Sequence, residues 1–475
     1  MPLSISSHKR LDKIFILYLF ANPVFDILNG MVLYLSRTYG YNIKSSEFPI
    51  TPTLIIRMAF LLVMAVYLLS LKDKSCFRFF IPIGAAGLMS VIVEAAQLGV
   101  TPGMLFADAQ YLARFLYNLV AFYAYYNILH ASGRIRREEA LSLLRRFFCW
   151  SAALISLSIL VCAVLKIGFK SYADRFGLRG ISGFYYSANE ATAMLMLVLP
   201  IAIYEFMQIA AYKDKKNWWW LAIPSLAVNA MLLIGTKTAY LALLGALGST
   251  GLFVLLRWKK EKTTLLLNRF GALLLSIVLM FGLLTLLTKA SVVSGIKQNT
   301  TAYDDILQEE IDEESFDHLP PDMAEAFRKS PAWVRLIFSG RQYYFAKAAD
   351  EWVARGAPAW LFGLSRGSQA KVIEMDFFEI LFYYGLAGFI LMLLPYWKLG
   401  RRLFHFLRRQ KQNLFAVNIG VGLLLTILYA FMAGHVFFSV TGGFYLAVTL
   451  LYGTLLFTES APETAPPRKK KKKKV

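Results

Sequence analysis

Long apolar runs recur along the chain between residues 14 and 457, separated by short segments rich in lysine, arginine, glycine and serine. Most runs have about the 20 residues that an α-helix needs to cross the hydrocarbon core of a bilayer. The pattern predicts an all-α, polytopic membrane helical bundle of roughly twelve transmembrane helices. The predicted spans lie near residues 14–35, 53–71, 79–100, 106–130, 147–168, 187–210, 218–235, 239–256, 265–288, 376–396, 416–435 and 438–457.

Basic clusters in the connecting segments predict the orientation of the bundle, because cytoplasmic loops carry an excess of lysine and arginine. With a cytoplasmic N-terminus, one side collects residues 8–10, 72–78, 134–146, 213–216, 257–262, 401–411 and the C-terminal tail. We therefore expect a multi-pass protein of the cytoplasmic membrane with both termini in the cytoplasm. The loops that then face outward lie near residues 36–52, 169–186, 236–238 and 289–375.

The layout divides the chain into an N-terminal bundle over residues 1–288, a large extracytoplasmic loop over 289–375, three C-terminal spans over 376–457 and a polybasic tail over 458–475. In the second half of the large loop, apolar residues recur at helical spacing from Gly340 to Val353, with Arg341 in the first turn. This spacing predicts an amphipathic helix that lies on the membrane surface.

Composition agrees with a membrane protein, since 57% of the residues are hydrophobic and the mean hydropathy is +0.51. The net charge of +21 follows from the basic cytoplasmic loops and does not indicate nucleic-acid binding. The basic tail is expected to bind anionic lipid head groups. Cys76, Cys149 and Cys162 have no paired spacing, so neither a disulfide framework nor a zinc site is predicted.

Several ionisable residues fall inside the predicted spans, where each costs about 2.5–3.5 kcal/mol on insertion scales unless it is paired or functional. They are Asp26, Arg57, Glu94, Asp108, Arg114, Glu190, Glu205, Asp376 and Glu379. Structural ion pairs of Arg57 and Arg114 with Glu94, Asp108 or Asp26 are one interpretation. Because Arg57 lies close to the outer end of its span, it is equally a candidate to face a substrate outside.

Four charged positions converge on the outer face in this topology: Arg179, Lys237, Arg341 and Glu374. Three cations and one carboxylate at a membrane surface suit an anionic head group such as a pyrophosphate, because arginine binds phosphate oxygens with two N–H groups and lysine as a point charge. Each residue alone could be a solvated loop charge. Their joint placement favours a binding site.

At these residues the chain resembles the superfamily of O-antigen ligases and polymerases, most closely from about Arg179 to Leu394. An R-x-x-G segment followed by an asparagine at the start of a span is similar to Arg179, Gly183 and Asn189, although three residues rather than two separate the arginine from the glycine here. An S-G-R sequence that opens the loop helix is matched by Ser339, Gly340 and Arg341.

Two departures from the family pattern concern charged positions. The family's hairpin arginine is replaced by Lys237, which keeps the charge and loses the two-pronged donor. The ligase signature of a histidine, ten residues, glycine, two residues and glycine fits Gly385 and Gly388, with Glu374 in the histidine position. A carboxylate could still act as the general base toward an acceptor hydroxyl.

The resemblance implies a GT-C-like bundle that transfers a glycan from undecaprenyl pyrophosphate to a glycan acceptor by inversion, without a cofactor or a metal. Polysaccharide-assembly proteins are a further class of partner. In this interpretation Arg179, Lys237 and Arg341 stabilise the pyrophosphate and Glu374 is the base. Other candidates for the base are Asp376, Glu379 and His435. Candidate substrate-binding residues are Arg57, Asn189, Arg366, Asp376 and Tyr344.

Polymerisation of repeat units into an exopolysaccharide, capsule or teichuronic-type polymer is favoured over ligation, because the histidine of the ligase signature is missing. Two other classes of function stay open. A flippase for the same lipid-linked glycan would need a cationic path through the bilayer, whereas the strongest constellation here is confined to the outer face. A receptor or scaffold would leave the converging charges unexplained.

Overall fold

The computed structural model describes residues 5–39, 51–171, 180–209, 222–262, 264–288, 331, 334, 338, 341–369, 373–410 and 413–457. The N-terminal part contains α1 (Ile5–Thr38), α2 (Pro52–Ser70), α3 (Phe77–Gln97), α4 (Pro102–Tyr126), α5 (Arg137–Leu165), α6 (Ala188–Ile209), α7 (Ala222–Ile234), α8 (Lys237–Glu261) and α9 (Leu265–Thr288). After it come α10 (Arg341–Ala354), α11 (Ala357–Phe362), α12 (Asp376–Arg409), α13 (Leu414–Met432) and α14 (Val440–Phe457).

The predicted fold class is confirmed, because all twelve predicted spans fall on helices, namely α1 to α9 and α12 to α14. Within the described residues, nine helices are long and apolar enough to cross a membrane, and α7 and α14 are shorter apolar helices. Helix α4 has 25 residues but carries Asp108 and Arg114. The chain is therefore an integral multi-pass membrane protein.

Local sequence explains where several helices begin. The hydroxyls of Thr51 and Thr101 accept hydrogen bonds from the backbone N–H groups of Leu54 and Met104, and a proline follows each threonine at the first helical position. Thr236 caps α8 in the same way. A threonine cap and a first-turn proline both suit a helix start, because the first N–H groups have no partner inside the helix.

Helix α6 lies at the centre of the bundle. It packs against α5, α7, α13 and α14, and 83% of its most apolar stretch is buried. Helix α9 differs, because only 17% of its apolar stretch is buried. Its leucine-rich surface is the part of the bundle that we expect to face lipid.

A short hairpin precedes α6, with β1 (Phe169–Lys170) antiparallel to β2 (Ile181–Gly183).

Helices α10 and α11 pack onto α12. Phe345 and Trp352 of α10 contact the ring of Phe382, so a helix with one apolar face is present where the sequence predicts it. Its position on a membrane surface stays a prediction.

Helix α12 is interrupted at Gly385, whose φ of 66° and ψ of −174° are open in practice only to glycine. A side chain here would also collide with the backbone of Leu361 and Phe362 in α11. The glycine therefore lets α11 lie directly against α12. This contact holds the loop that follows α11 close to the start of α12.

Candidate functional site

Two buried carboxylates in the first turn of α12 hold two loops in place. Asp376 accepts hydrogen bonds from the backbone N–H groups of Val436 and Phe437, each at 2.8 Å through Oδ2. Glu379 accepts one from the backbone N–H of Glu374 at 2.7 Å and another from the hydroxyl of Tyr111. The start of α12 therefore fixes the segment before it and the loop between α13 and α14.

Both loops carry a residue in an unusual backbone conformation. Glu374 and His435 have φ values of 60° and 62°, in the left-handed region that few residues other than glycine adopt. Gly434 also has a positive φ, and a β-carbon there would lie 2.8 Å from the carbonyl group of Glu374. Such strain is maintained only by the surrounding contacts, and it often accompanies functional sites.

The Glu374 carboxylate lies between a guanidinium and an imidazole group. Its Oε2 is 2.9 Å from Nη2 of Arg341 at the start of α10 and 3.9 Å from Nε2 of His435. The three side chains are partly accessible, with exposed fractions of 30% for Glu374, 15% for Arg341 and 25% for His435. A ligand can therefore reach these side chains, and their partial burial strengthens the electrostatic interactions that they make.

His435 lies outside the membrane-spanning segments, and its environment favours the charged ring. Burial of the imidazole opposes protonation, but the nearby carboxylates of Glu374, Glu190 and Asp376 outweigh it and raise the pKa of His435 above its usual value. The imidazole is thereby favoured as a cation beside Glu374.

These groups surround a cavity of about 200 Å³. Residues from α4, α6, α12 and the loops beside α12 and α14 contribute to its wall. They are Ala107, Gln110, Tyr111, Arg114, Glu190, Arg366, Glu374, Asp376, Glu379, His435, Phe438 and Ser439. Cations and carboxylates are interspersed over this surface, as a site for a polar, charged substrate requires.

Of the residues predicted for the site, Glu374, Arg366 and Asp376 line the cavity, as do the other two candidates for the base, Glu379 and His435. Arg341 joins the site through its ion pair with Glu374. The guanidinium of Arg366 lies 5.6 Å from the centre of the Tyr111 ring and donates a hydrogen bond to the carbonyl of Gln369 at 2.6 Å. Arg179, Ser339 and Gly340 lie outside the described residues.

Lys237 and Asn189 lie at the starts of two helices that pack together, α8 and α6, but they do not line the cavity. Lys237 is the first residue of α8, and its neighbour Thr236 contacts Thr192 of α6 at 3.2 Å. The carbonyl of Asn189 accepts a hydrogen bond from the Tyr429 hydroxyl at 3.0 Å. Their roles in binding a substrate stay predictions.

Tyr344 is half-buried on α10, and its ring contacts that of Tyr343. It does not belong to the cavity wall. Its predicted contact with a sugar ring stays a prediction.

Arg57 takes the structural alternative that the sequence left open. It forms a buried ion pair with Asp26 and donates a hydrogen bond to Thr441 at 3.1 Å. It is 6% exposed and does not line the cavity. The pair joins α1, α2 and α14, which supports the structural interpretation. A contact between Arg57 and a substrate stays a prediction.

The other acidic residues of the spans also have partners. Glu94 pairs with Arg355 at 2.5 Å. Asp108 accepts hydrogen bonds from Ser365 Oγ at 2.5 Å and from the backbone N–H groups of Arg366 and Gly367 at 2.7 and 3.0 Å. Asp108 therefore fixes the loop after α11, which places Arg366 in the cavity wall.

Several cavity residues were not predicted as part of the site, notably Gln110, Tyr111, Arg114, Glu190 and Ser439. Ala107, Gln110, Tyr111 and Arg114 have the spacing i, i+3, i+4 and i+7, so they share one face of α4. This polar face was a usable signal in the sequence. Glu190 accepts a hydrogen bond from Ser439 at 3.0 Å, a contact between distant segments that no local pattern indicates.

Within the described residues, no cluster of three or more histidine, cysteine, aspartate and glutamate side chains could hold a metal ion. The chemistry that the wall offers is that of a carboxylate, an imidazole and guanidinium groups. Such a set can accept a proton and stabilise negative charge on a substrate.

The family model for O-antigen ligase like membrane proteins matches residues 8–458, nearly the whole chain. The chain belongs to this family. The membership indicates a ligase- or polymerase-type role in glycan assembly for this O-antigen ligase-like protein. Comparison with curated proteins finds no significant match.

Proposed function

We propose that this O-antigen ligase-like protein is an integral membrane glycosyltransferase that polymerises or ligates undecaprenyl-pyrophosphate-linked glycan units at the outer face of the cytoplasmic membrane. The observation that carries the proposal is the Glu374 carboxylate, held between Arg341 and His435 beside a cavity with further arginines. Such a set suits a reaction in which an acceptor loses a proton while negative charge grows on a departing phosphate.

In the proposed reaction an acceptor hydroxyl attacks the anomeric carbon of the lipid-linked sugar. The new bond forms between the hydroxyl oxygen and this carbon, while the bond from the carbon to the pyrophosphate oxygen breaks with its electron pair. The hydroxyl proton passes to Glu374, and attack from the opposite side inverts the anomeric centre. Positioning of the hydroxyl and stabilisation of the departing charge lower the barrier.

Arg341 is proposed to stabilise the pyrophosphate, together with Lys237 and Arg179. In the structure Arg341 contacts Oε2 of Glu374. The proposed base and the arginine proposed to bind the pyrophosphate therefore neutralise one another's charge before a donor binds. A donor pyrophosphate would attract Arg341 and His435 and leave the carboxylate available for the acceptor proton. Because the pyrophosphate is already a good leaving group, the proposal includes neither a metal nor a cofactor.

Polymerisation is proposed over transfer to a terminal acceptor, because Glu374 occupies the histidine position of the ligase signature. The product would be an exopolysaccharide, a capsule or a teichuronic-type polymer. The arrangement of basic loops supports cytoplasmic termini and an outward-facing site. Anionic lipids at the tail and polysaccharide-assembly proteins are the proposed partners besides donor and acceptor.

The test uses purified full-length protein in lipid nanodiscs with undecaprenyl-pyrophosphate-linked repeat units and no nucleotide sugar. We expect a ladder of lengthened glycans on a gel and release of undecaprenyl pyrophosphate, unchanged by a chelator. A single transfer product that requires an added acceptor would identify a ligase. Movement of the lipid-linked glycan between leaflets of proteoliposomes without any new glycosidic bond would contradict the proposal and identify a flippase.

A further inference from the structure

Arg114 is a charged residue on α4, one of the predicted spans, and it lines the cavity. Its side chain is half-buried. An arginine within a span costs about 2.5–3.5 kcal/mol on insertion scales, so it normally pairs with a carboxylate or has a function. The sequence predicted a pair with Glu94, Asp108 or Asp26, and the structure gives each of these residues another partner.

Asp26 pairs with Arg57, Glu94 with Arg355, and Asp108 binds the loop that contains Arg366. Three acidic residues that line the cavity together with Arg114 also have other hydrogen-bond partners. Asp376 and Glu379 hold backbone N–H groups, and Glu190 accepts the hydroxyl of Ser439.

Within the described part of the chain, the Arg114 guanidinium forms no ion pair and no hydrogen bond. The cavity therefore presents a cationic group that is in direct contact with no carboxylate of the described residues.

A second guanidinium of the cavity wall, that of Arg366, also has an N–H group without a partner within the described residues. Arg366 stacks over the ring of Tyr111, which precedes Arg114 by less than one helical turn on the same face of α4. Its Nη1 donates to Gln369, but its buried Nε has no partner within the described residues. Both guanidinium groups line the same cavity, where a bound anion would offset the repulsion between their positive charges.

We propose that Arg114 binds a phosphoryl group of the donor's pyrophosphate inside the cavity, whose wall also contains Arg366. This inference rests on the proposed function and adds a binding residue to it. Arginine suits the role because its planar fork meets two phosphate oxygens at once. Arg341 would engage the pyrophosphate from the loop side, next to the acid–base group Glu374.

The experiment measures binding and thermal unfolding on the full chain in nanodiscs, without turnover. The variants are Arg114→Gln, which removes the charge, and Arg114→Lys, which keeps the charge without the fork. The probes are undecaprenyl pyrophosphate and undecaprenyl phosphate. Arg57→Gln is the matched control, because it removes an arginine of another span whose partners all lie within the protein.

For Arg114→Gln we expect the melting temperature without ligand to stay unchanged or to rise, because no ion pair or hydrogen bond within the described residues is lost. The affinity for undecaprenyl pyrophosphate should fall at least tenfold, with a smaller fall for Arg114→Lys and for the monophosphate probe. Arg57→Gln should instead lower the melting temperature. This combination separates a ligand-binding arginine from a structural one.

Two results would overturn the inference. One is unchanged affinity for undecaprenyl pyrophosphate in Arg114→Gln, while the unmodified protein binds this lipid; the proposed function would then stand without Arg114. The other is a melting temperature that falls in Arg114→Gln as far as in Arg57→Gln, which would identify a structural role. Failure of the unmodified protein to bind the pyrophosphate lipid would contradict the proposed function itself.

Discussion

The contact between Arg341 and Glu374 predicts that removing the charge of Glu374 strengthens donor binding and abolishes turnover. In Glu374→Gln, Arg341 no longer has to leave a carboxylate when the pyrophosphate arrives. The pair is partly exposed, at 15% and 30%, and joined by one contact of 2.9 Å, so it contributes about 1 kcal/mol. We therefore expect roughly fivefold tighter binding of undecaprenyl pyrophosphate.

The turnover rate of Glu374→Gln should instead fall by a factor of about 10² to 10⁴, because this is what a general base typically contributes to the rate. The assays are equilibrium binding of the pyrophosphate lipid in nanodiscs and the rate of glycan lengthening. Glu351→Gln is a matched control, since Glu351 and Arg355 form a pair with exposed fractions of 30% and 13% away from the cavity wall. The control should bind the lipid as the unmodified protein does.

Equal or weaker lipid binding in Glu374→Gln would refute this reasoning, because it would mean that the ion pair does not compete with the donor. The same tightening in both variants would refute it as well, since a general change in net charge would then explain the effect. Tight binding with full turnover would leave the competition intact and remove Glu374 from the role of base.

Three further predictions concern the elements that hold the site. Asp376→Asn should lower the stability by about 2 kcal/mol and speed hydrogen exchange of residues 433–439, because it weakens two charge-assisted hydrogen bonds; unchanged exchange would contradict this role. Because the pKa of His435 is raised, the stability from its contact with Glu374 is fully present below about pH 6.5 and is lost as the pH rises through the folded-state pKa. The melting temperature of His435→Gln should therefore lack this decline with rising pH. An identical decline in the variant would exclude His435 as its source. Gly385→Ala should lower the melting temperature sharply through strain and collision, whereas Gly84→Ala, at a helical position with open space, should not; equal curves would contradict the close contact inferred at Gly385.

The helices at the twelve predicted spans, nine of which are long and apolar enough to cross a membrane, could be predicted from the sequence because hydrophobic length selects a segment for the membrane. The helix at Arg341–Ala354 was also predictable, since its apolar residues recur at helical spacing. Both are local properties of the chain. They fix which segments are helical and which face of each helix is apolar.

The pairing of charges between helices could not be predicted, because it depends on how each span is rotated and which spans are neighbours. Arg57 had three candidate partners in the sequence, and packing of α1 against α2 selected Asp26. Glu94 pairs with Arg355, which lies far along the chain just after α10. Because these acidic residues pair elsewhere, none of them pairs with Arg114, and this result could be seen only in the assembled bundle.

The carboxylates at the start of α12 illustrate a second limit of sequence reasoning. Asp376 and Glu379 were candidates for the base because they are ionisable groups inside a span. In the structure each receives backbone N–H groups, so its charge already serves to hold a loop. Glu374 lies just outside the helix and keeps a partly exposed carboxylate, which makes it the better candidate for contact with an acceptor.

The placement of His435 changes the meaning of the departure at Glu374. By resemblance, ligases place a histidine at this position, and here a carboxylate replaces it. The imidazole of His435 nevertheless lies 3.9 Å from that carboxylate, supplied by the loop between α13 and α14 and fixed there by the contacts of Asp376. An imidazole is thus retained beside the signature position, although it comes from another segment. The substitution therefore need not remove acid–base chemistry from this position, and the two groups together form the unit that mutagenesis should address.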